Sequence, residues 1–175
     1  MIRKLLIALS ILLVGSVPAL AKRVALVIGN SAYTNAVALP NPVNDATAMS
    51  TKLTNLGFEV VAGYDLDLMG MRKTVAQFAR TARGADIALL FYAGHGMQVG
   101  GQNYLIPTDA RFEDETAIDF ETMSMDFVLR QMTNDVKVQM VFLDACRNNP
   151  LARSLARRMS PSRSATVGQG LAEIK

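Results

Sequence analysis

Short apolar runs alternate along the chain with longer stretches in which apolar residues recur at helical spacing. Four of the runs are predicted strands, at Arg23–Gly29 and at residues 58–64, 86–93 and 136–143. The first and third runs have little polar alternation, which is typical of strands that are buried on both faces of a parallel sheet. The pattern therefore predicts a core of parallel strands.

Two stretches between these strands predict amphipathic helices. The first begins after Asn41, the expected N-cap, and ends at Gly57; the second is capped by Asp67 and ends at Gly84. Their expected inner faces consist of Val43, Ala46, Met49, Leu53 and Leu56 in the first helix, and of Leu68, Met71, Val75, Phe78, Ala79 and Ala82 in the second.

The middle of the chain adds a predicted hairpin over residues 97–107, which turns at residues 100–101, and a solvated acidic loop at residues 113–115. Ser124 is the expected cap of a third helix, whose apolar positions are Phe127, Val128 and Met132. Strands that alternate with helices predict an α/β fold with a mainly parallel sheet between two helical layers. In such sheets functional residues lie beyond the carboxyl ends of the strands.

Residues 1–21 are predicted to be a secretory signal peptide. Arg3 and Lys4 precede an apolar run, and residues 19–21 (ALA) form a small-residue cleavage site. The alternative is a permanent membrane anchor, but the run is shorter than the roughly 20 residues that span a bilayer, and Pro18 interrupts its end. We expect export to the periplasm or secretion, without a stable membrane anchor.

The composition excludes several kinds of site. One Cys and one His exclude an internal disulfide framework and any multi-thiolate zinc site or multi-histidine metal centre built from this chain alone. A net charge of +3 is too small to predict a nucleic-acid partner. Neither GxGxxG nor GxxxxGK[ST] occurs, which disfavours a doubly wound binder of phosphate ligands. In an exported protein the unpaired Cys is either an intermolecular bridge or a free reactive thiol.

The single His and the single Cys fall at the same end of the predicted sheet. His95 follows the third predicted strand, and Cys146 follows the fourth. A thiolate is a strong nucleophile, and a neighbouring imidazole takes up its proton. We therefore predict Cys146 as nucleophile and His95 as general acid/base, with the amides of Gly96 and Cys146 as an oxyanion hole. The alternative is a buried, inert thiol and an unrelated loop histidine.

Both motifs resemble those of caspases and metacaspases. Residues 91–96 (FYAGHG) resemble the histidine motif, and residues 144–147 (DACR) resemble the cysteine motif, with Cys146 lying 51 residues after His95. The IGN turn and NDA helix start within residues 23–57 resemble the opening of the metacaspase domain. The resemblance implies a three-layer α/β/α caspase-like fold and a cysteine endopeptidase of protein or peptide substrates that requires no cofactor. The alternative is a catalytically inactive caspase-like interaction module or a truncated fragment.

The resemblance also implies a substrate pocket. Asp144 stands where caspases carry a Gln that helps to hold an acidic side chain, and Asp45 matches a second pocket acid of metacaspases. Two carboxylates predict cleavage after Arg or Lys. The alternatives are a helix first-turn acid for Asp45 and a strand-end cap for Asp144. Ala93 stands where metacaspases often carry a pocket Ser.

Calcium is an optional ligand according to the same resemblance, since many metacaspases bind it through acidic residues after the histidine motif. Asp109 and Asp119 lie in roughly that region. A hard-cation site needs several converging oxygens, so these two residues are weak candidates.

The last part of the chain differs from a caspase in its sequence pattern. Residues 22–150 match the large catalytic subunit, whereas residues 151–175 are predicted to be an Arg/Ser-rich linker or tail without further strands. The C-terminal small-subunit strands are then missing, and the fourth predicted strand keeps an open apolar edge. We expect a small-subunit segment or a second chain to complete the sheet. Self-cleavage after Arg153, Arg157, Arg158 or Arg163 is a hypothesis; a disordered basic tail is its alternative.

Overall fold

The computed structural model describes residues 21–114, 116–132, 136–146, 150–158, 167–168 and 171, so that residues 1–20 of the predicted signal peptide lie outside the described part. No helix in these ranges is long and apolar enough to cross a membrane. The elements are β1 (Arg23–Gly29), α1 (Pro42–Asn55), β2 (Glu59–Tyr64), α2 (Leu68–Thr81), β3 (Ile87–Val99), β4 (Gln102–Leu105), α3 (Ala117–Glu121), β5 (Met123–Ser124), α4 (Met125–Arg130), β6 (Val138–Cys146), α5 (Pro150–Arg158) and β7 (Val167–Gly168).

A four-stranded parallel sheet forms the centre of the fold, in the order β2-β1-β3-β6. Five consecutive residues of β1, Val24 to Ile28, have no exposed surface. Their side chains alternate between two cores, one on each face of the sheet. The continuous apolar run in the sequence is therefore a strand that is buried on both faces of the sheet, as predicted.

Helices cover both faces of this sheet and confirm the α/β class. Ala46 and Leu53 of α1 pack on one face, whereas α2 and α4 pack on the other. Asp67 caps α2 as predicted, because its Oδ1 accepts a hydrogen bond of 2.6 Å from the Gly70 amide. Met71, Val75 and Phe78 form the buried face of α2.

The start and the inner face of α1 differ from the prediction. The Asn41 side chain makes no capping hydrogen bond. Ser31 supplies an acceptor instead, since its Oγ lies 3.2 Å from the Val43 nitrogen. A residue from the preceding loop takes the capping role, and helix-local spacing does not reveal such a contact. Leu56, placed on the inner face, is 52% exposed.

Strand β3 is longer than predicted and joins two kinds of sheet. Its first part is parallel to β1 and β6, and its last part pairs antiparallel with β4 across the predicted turn at residues 100–101. His95 consequently lies inside a strand and not in a loop after it. Ser124 lies in β5, which pairs with β4, and makes no side-chain cap of α4. Phe127 is exposed, whereas Val128 and Met132 are buried as predicted.

The segment predicted as a linker or tail contains the helix α5 and the short strand β7, so the expectation of no further strand was wrong. Ala152 and Leu155 of α5 are buried in a third core together with Ile106 and Phe112. These two apolar residues lie three positions apart on one helical face, a signal that the abundance of Arg obscured. Strand β7 pairs antiparallel with Gln98 and Val99 of β3. Arg163 lies outside the described residues.

The outer edge of β6 matches the expected open apolar edge. Among the described strands β6 pairs with β3 alone. Val138 is 48% exposed and Phe142 is 49% exposed. In the ranges described above, helix α1 packs on the face of the sheet that contains Phe91 and Ala93 of β3. Met140 of β6 lies on the same face and is partly buried.

Candidate active site

The backbone register brings the predicted nucleophile and base side by side. His95 of β3 pairs with Cys146 of β6, and the preceding pair on the same face of the sheet is Ala93 with Asp144. Neighbouring strands of a sheet lie about 5 Å apart. The two chemical groups singled out in the sequence therefore belong to adjacent backbone positions at the carboxyl end of the parallel sheet; of Cys146 itself only the backbone is described.

The imidazole of His95 is buried, with 2% of the residue exposed. Its Nε2 lies 3.0 Å from the carbonyl oxygen of Val37, in the loop between β1 and α1. A carbonyl only accepts hydrogen bonds, so Nε2 carries the hydrogen and donates it. Nδ1 is buried without a hydrogen-bond partner among the described residues. In the neutral ring Nδ1 is then an acceptor with an unused lone pair.

Burial lowers the pKa of His95 below its usual value of 6.5, and the hydrogen bond to Val37 offsets part of this effect. The effect of burial is the larger of the two. The imidazole is therefore neutral at pH 7, which is the state that a proton acceptor requires.

This lowered pKa predicts a pH-dependent stability. In the unfolded chain the imidazole binds its proton near pH 6.5, whereas His95 in the folded protein binds it at a lower pH. The unfolded state then holds more protons between these values, so the free energy of unfolding falls as the pH decreases below about 6.5. Urea unfolding at several pH values measures this dependence.

The matched control is His95→Gln, because the chain has one histidine and the variant removes all imidazole titration. We expect a shallower dependence of stability on pH in this variant, whatever its absolute stability. Equal slopes for both proteins between pH 5 and 6.5 would show that His95 has the same proton affinity in the folded and unfolded states.

Three residues around His95 were missed in the sequence. Val37 accepts the Nε2 hydrogen, Tyr33 packs its ring on the imidazole, and Tyr92 donates from its hydroxyl to the His95 carbonyl at 2.6 Å. The contacts of Tyr33 and Val37 arise from tertiary folding of the loop between β1 and α1 against β3, whereas Tyr92 lies in β3 itself, three residues before His95. The one local signal is Gly94, whose φ of +154° a residue with a side chain rarely adopts.

The two candidate pocket acids lie at the same end of the sheet as His95. Asp144 is exposed, and its Cα partner Ala93 pairs in turn with Gly29 of β1. Gly29 is required there, since a Cβ atom would lie 2.5 Å from the Pro42 carbonyl oxygen in the first turn of α1. Asp45 belongs to that first turn and is exposed. The helix-dipole role of Asp45 and the pocket role are both compatible with this position.

Gly96, a candidate oxyanion donor, lies in β3 directly after His95. It pairs with Leu105 of β4. A Cβ atom at Gly96 would lie 2.8 Å from Cδ2 of Leu171, so the glycine allows Leu171 to approach the strand closely. Leu171 thus lies close to the candidate site.

The calcium candidates do not converge. Asp109 accepts a hydrogen bond of 3.0 Å from the Leu68 amide through its Oδ1 and lines a cavity with Glu121, whereas Asp119 lines a different cavity beside Arg72. Within the described ranges no group of three or more His, Cys, Asp or Glu side chains is placed to hold a metal ion. Neither cavity includes His95 among its lining residues.

A comparison with known families matches residues 22–170 to the model of the caspase domain. The chain belongs to the caspase domain family. The match continues through α5 and β7, beyond the boundary at residue 150 that the sequence pattern suggested.

Two curated relatives are similar over part of the chain. They are the human mucosa-associated lymphoid tissue lymphoma translocation protein 1, 36% identical over 88 residues, and its mouse homologue, 35% identical over 88 residues. Each match spans 50% of this chain and 11% of the relative. The chain therefore corresponds to a small part of these proteins.

A solved structure shares the fold at low sequence identity. The crystal structure of protein GSU0716 from Geobacter sulfurreducens superposes with a TM-score of 0.56 and 20% identity. The superposition covers 83% of this chain and 60% of that chain.

Proposed function

We propose that this caspase-domain protein is a cysteine endopeptidase in which Cys146 is the nucleophile and His95 is the general acid/base. The observation that carries the proposal is the pairing of these two residues on adjacent strands, beside a buried imidazole nitrogen without a partner in the described structure. Membership of the caspase domain family supports peptidase chemistry at the level of the family.

In this mechanism Nδ1 of His95 accepts the thiol proton, and the resulting thiolate attacks the carbonyl carbon of the scissile peptide. The amides of Gly96 and Cys146 stabilise the oxyanion. When the tetrahedral intermediate collapses, the imidazolium returns the proton to the leaving amine, and the acyl group stays on sulfur. A water molecule, deprotonated by the same Nδ1, then hydrolyses the thioester and regenerates the thiol.

The proposed substrates are proteins or peptides with Arg or Lys before the cleaved bond. Asp144 is exposed and lies two residues before Cys146 on β6. Asp45 is exposed in the first turn of α1, which packs closely against Gly29, a neighbour of Ala93 in the sheet. Carboxylates at these two positions attract a cationic side chain and repel an acidic one.

Removal of either carboxylate is expected to reduce kcat/KM on peptides that end in Arg. For Asp144→Ala and for Asp45→Ala we expect a loss of about 10- to 100-fold, the range for a hydrogen bond to a charged group. Fluorogenic peptides that end in Arg, Lys or Asp measure the preference. The control is Asp126→Ala, since Asp126 is also an exposed first-turn acid but belongs to α4 on the other side of the sheet.

Two results would contradict this proposal at different levels. Hydrolysis of none of the peptides by the unaltered chain would contradict the peptidase function. An unchanged ratio of Arg to Asp cleavage in both pocket variants would remove these carboxylates from the specificity site and leave the peptidase function intact.

The second candidate function is a caspase-like interaction module, and the open edge of β6 favours it. Val138 and Phe142 expose apolar surface on this strand, and a strand edge of this kind pairs with a further segment. We propose that a small-subunit segment or a second chain covers it. Export directed by residues 1–21 is likewise proposed, while the separate positions of Asp109 and Asp119 leave calcium without support from geometry.

A further inference from the structure

Two tyrosine hydroxyls hold the peptide backbone of His95. The His95 amide donates to the Tyr33 hydroxyl at 2.7 Å, and the Tyr92 hydroxyl donates to the His95 carbonyl at 2.6 Å. Both tyrosines are buried, with 7% of Tyr33 and none of Tyr92 exposed. Both contacts lie where β3 passes from the parallel sheet into the antiparallel hairpin. At His95, the proposed base, side-chain hydrogen bonds therefore add to the backbone hydrogen bonds between strands.

Tyr33 also contacts the imidazole directly. The ring centroids of Tyr33 and His95 lie 4.4 Å apart, with the planes tilted by 51°. The Val37 carbonyl that accepts the Nε2 hydrogen belongs to the same loop, four residues later. One loop therefore holds the backbone, the ring face and one ring nitrogen of His95.

We propose that Tyr33 is a positioning residue of the active site. Its hydroxyl fixes the His95 peptide, and its ring limits rotation of the imidazole, so that Nε2 stays on the Val37 carbonyl and Nδ1 stays available as the proton acceptor. The kinetic consequence rests on the proposed peptidase function. The orientation of the imidazole does not, and it can be measured without any substrate.

The experiment uses three variants of the chain: Tyr33→Phe, Tyr33→Leu and the control Tyr64→Phe. The Tyr64 hydroxyl also makes one hydrogen bond, 3.1 Å to Ser50 Oγ, but Tyr64 is exposed and its strand β2 is separated from β3 by β1. Because the chain has a single histidine, nitrogen NMR of the imidazole reports the tautomer and the pKa of His95 without assignment ambiguity, provided that no histidine tag is present.

We expect Tyr33→Phe to lower kcat about 10-fold with KM within twofold, because the hydroxyl contact is lost and the ring remains. Tyr33→Leu is expected to lower kcat about 100-fold and to raise the pKa of His95 towards its ordinary value, because water reaches the ring. The same variant is expected to increase the fraction of the Nδ1–H tautomer. Tyr64→Phe should match the unaltered protein in all of these quantities.

The proposal is overturned if Tyr33→Phe and Tyr33→Leu keep the kcat and the imidazole resonances of the unaltered protein. If Tyr33→Leu fails to fold, Tyr33→Phe decides through its kcat and its tautomer population. An unaltered protein without peptidase activity would contradict the proposed function alone, while a changed tautomer in Tyr33→Leu would still support the positioning role.

Discussion

Replacement of Cys146 by Ala is expected to lower kcat for peptide hydrolysis by at least about 10⁴-fold, since removal of a nucleophile eliminates the covalent route. The chain has one Cys, so no second thiol can substitute for it. The measurement is hydrolysis of a peptide that ends in Arg. Its control is thermal unfolding, which should change little because the substitution keeps a small residue at the end of β6.

The same single thiol allows an independent count of active sites. Iodoacetamide is expected to modify one site per chain, and a peptidyl chloromethyl ketone that ends in Arg is expected to protect it. The pairing of Cys146 with His95 predicts faster alkylation than for a free thiol at pH 6, because Nδ1 of the neutral imidazole accepts the thiol proton.

An inert interaction module would behave differently in both measurements. Its thiol would react slowly, without protection by the chloromethyl ketone, and Cys146→Ala would leave any residual hydrolysis unchanged. Such a result would contradict the catalytic assignment but not the fold, which rests on the sheet and its covering helices.

The sequence allowed prediction of features that local patterns control. The buried run of β1 and the Asp67 cap of α2 were found because apolar continuity and a capping residue act within a few residues. The location of His95 and Cys146 at one end of the sheet also followed, because parallel strands align their carboxyl ends at one edge, whereas their direct pairing depends on the strand order that the structure shows. These predictions needed no knowledge of tertiary contacts.

Features set by distant contacts escaped prediction. Tyr33 and Val37 reach His95 only because the loop after β1 folds over β3, across about 60 residues of sequence. In the same way Ser31 replaced Asn41 at the start of α1. Helix α5 was missed for another reason, since the buried apolar residues Ala152 and Leu155 lie in a nine-residue helix that also carries three Arg residues.

The residues around His95 are packed and hydrogen-bonded to one another, and Gly94 is the most constrained backbone position among them. Its φ is +154°, and a Cβ atom there would lie 2.7 Å from the Tyr33 hydroxyl and 2.8 Å from the Tyr92 hydroxyl. A tyrosine hydroxyl on a free side chain would move aside. These two hydroxyls are buried and hydrogen-bonded to the His95 peptide, so any movement displaces the proposed base.

Gly94→Ala is therefore expected to lower the free energy of unfolding by about 2 to 4 kcal/mol, through backbone strain and overpacking together. We expect kcat to fall about 100-fold, the effect of a displacement near 1 Å in a catalytic group.

Gly84→Ala is the matched control, since Gly84 has a φ of +68° with no atom within 4 Å of an added Cβ. This control should cost about 1 kcal/mol from strain alone and leave kcat unchanged. Urea unfolding and peptide hydrolysis on both variants separate the two contributions. If both variants lose the same stability and keep full activity, the Tyr33 and Tyr92 hydroxyls move aside without displacing the His95 backbone. That result would contradict the proposed constraint on His95.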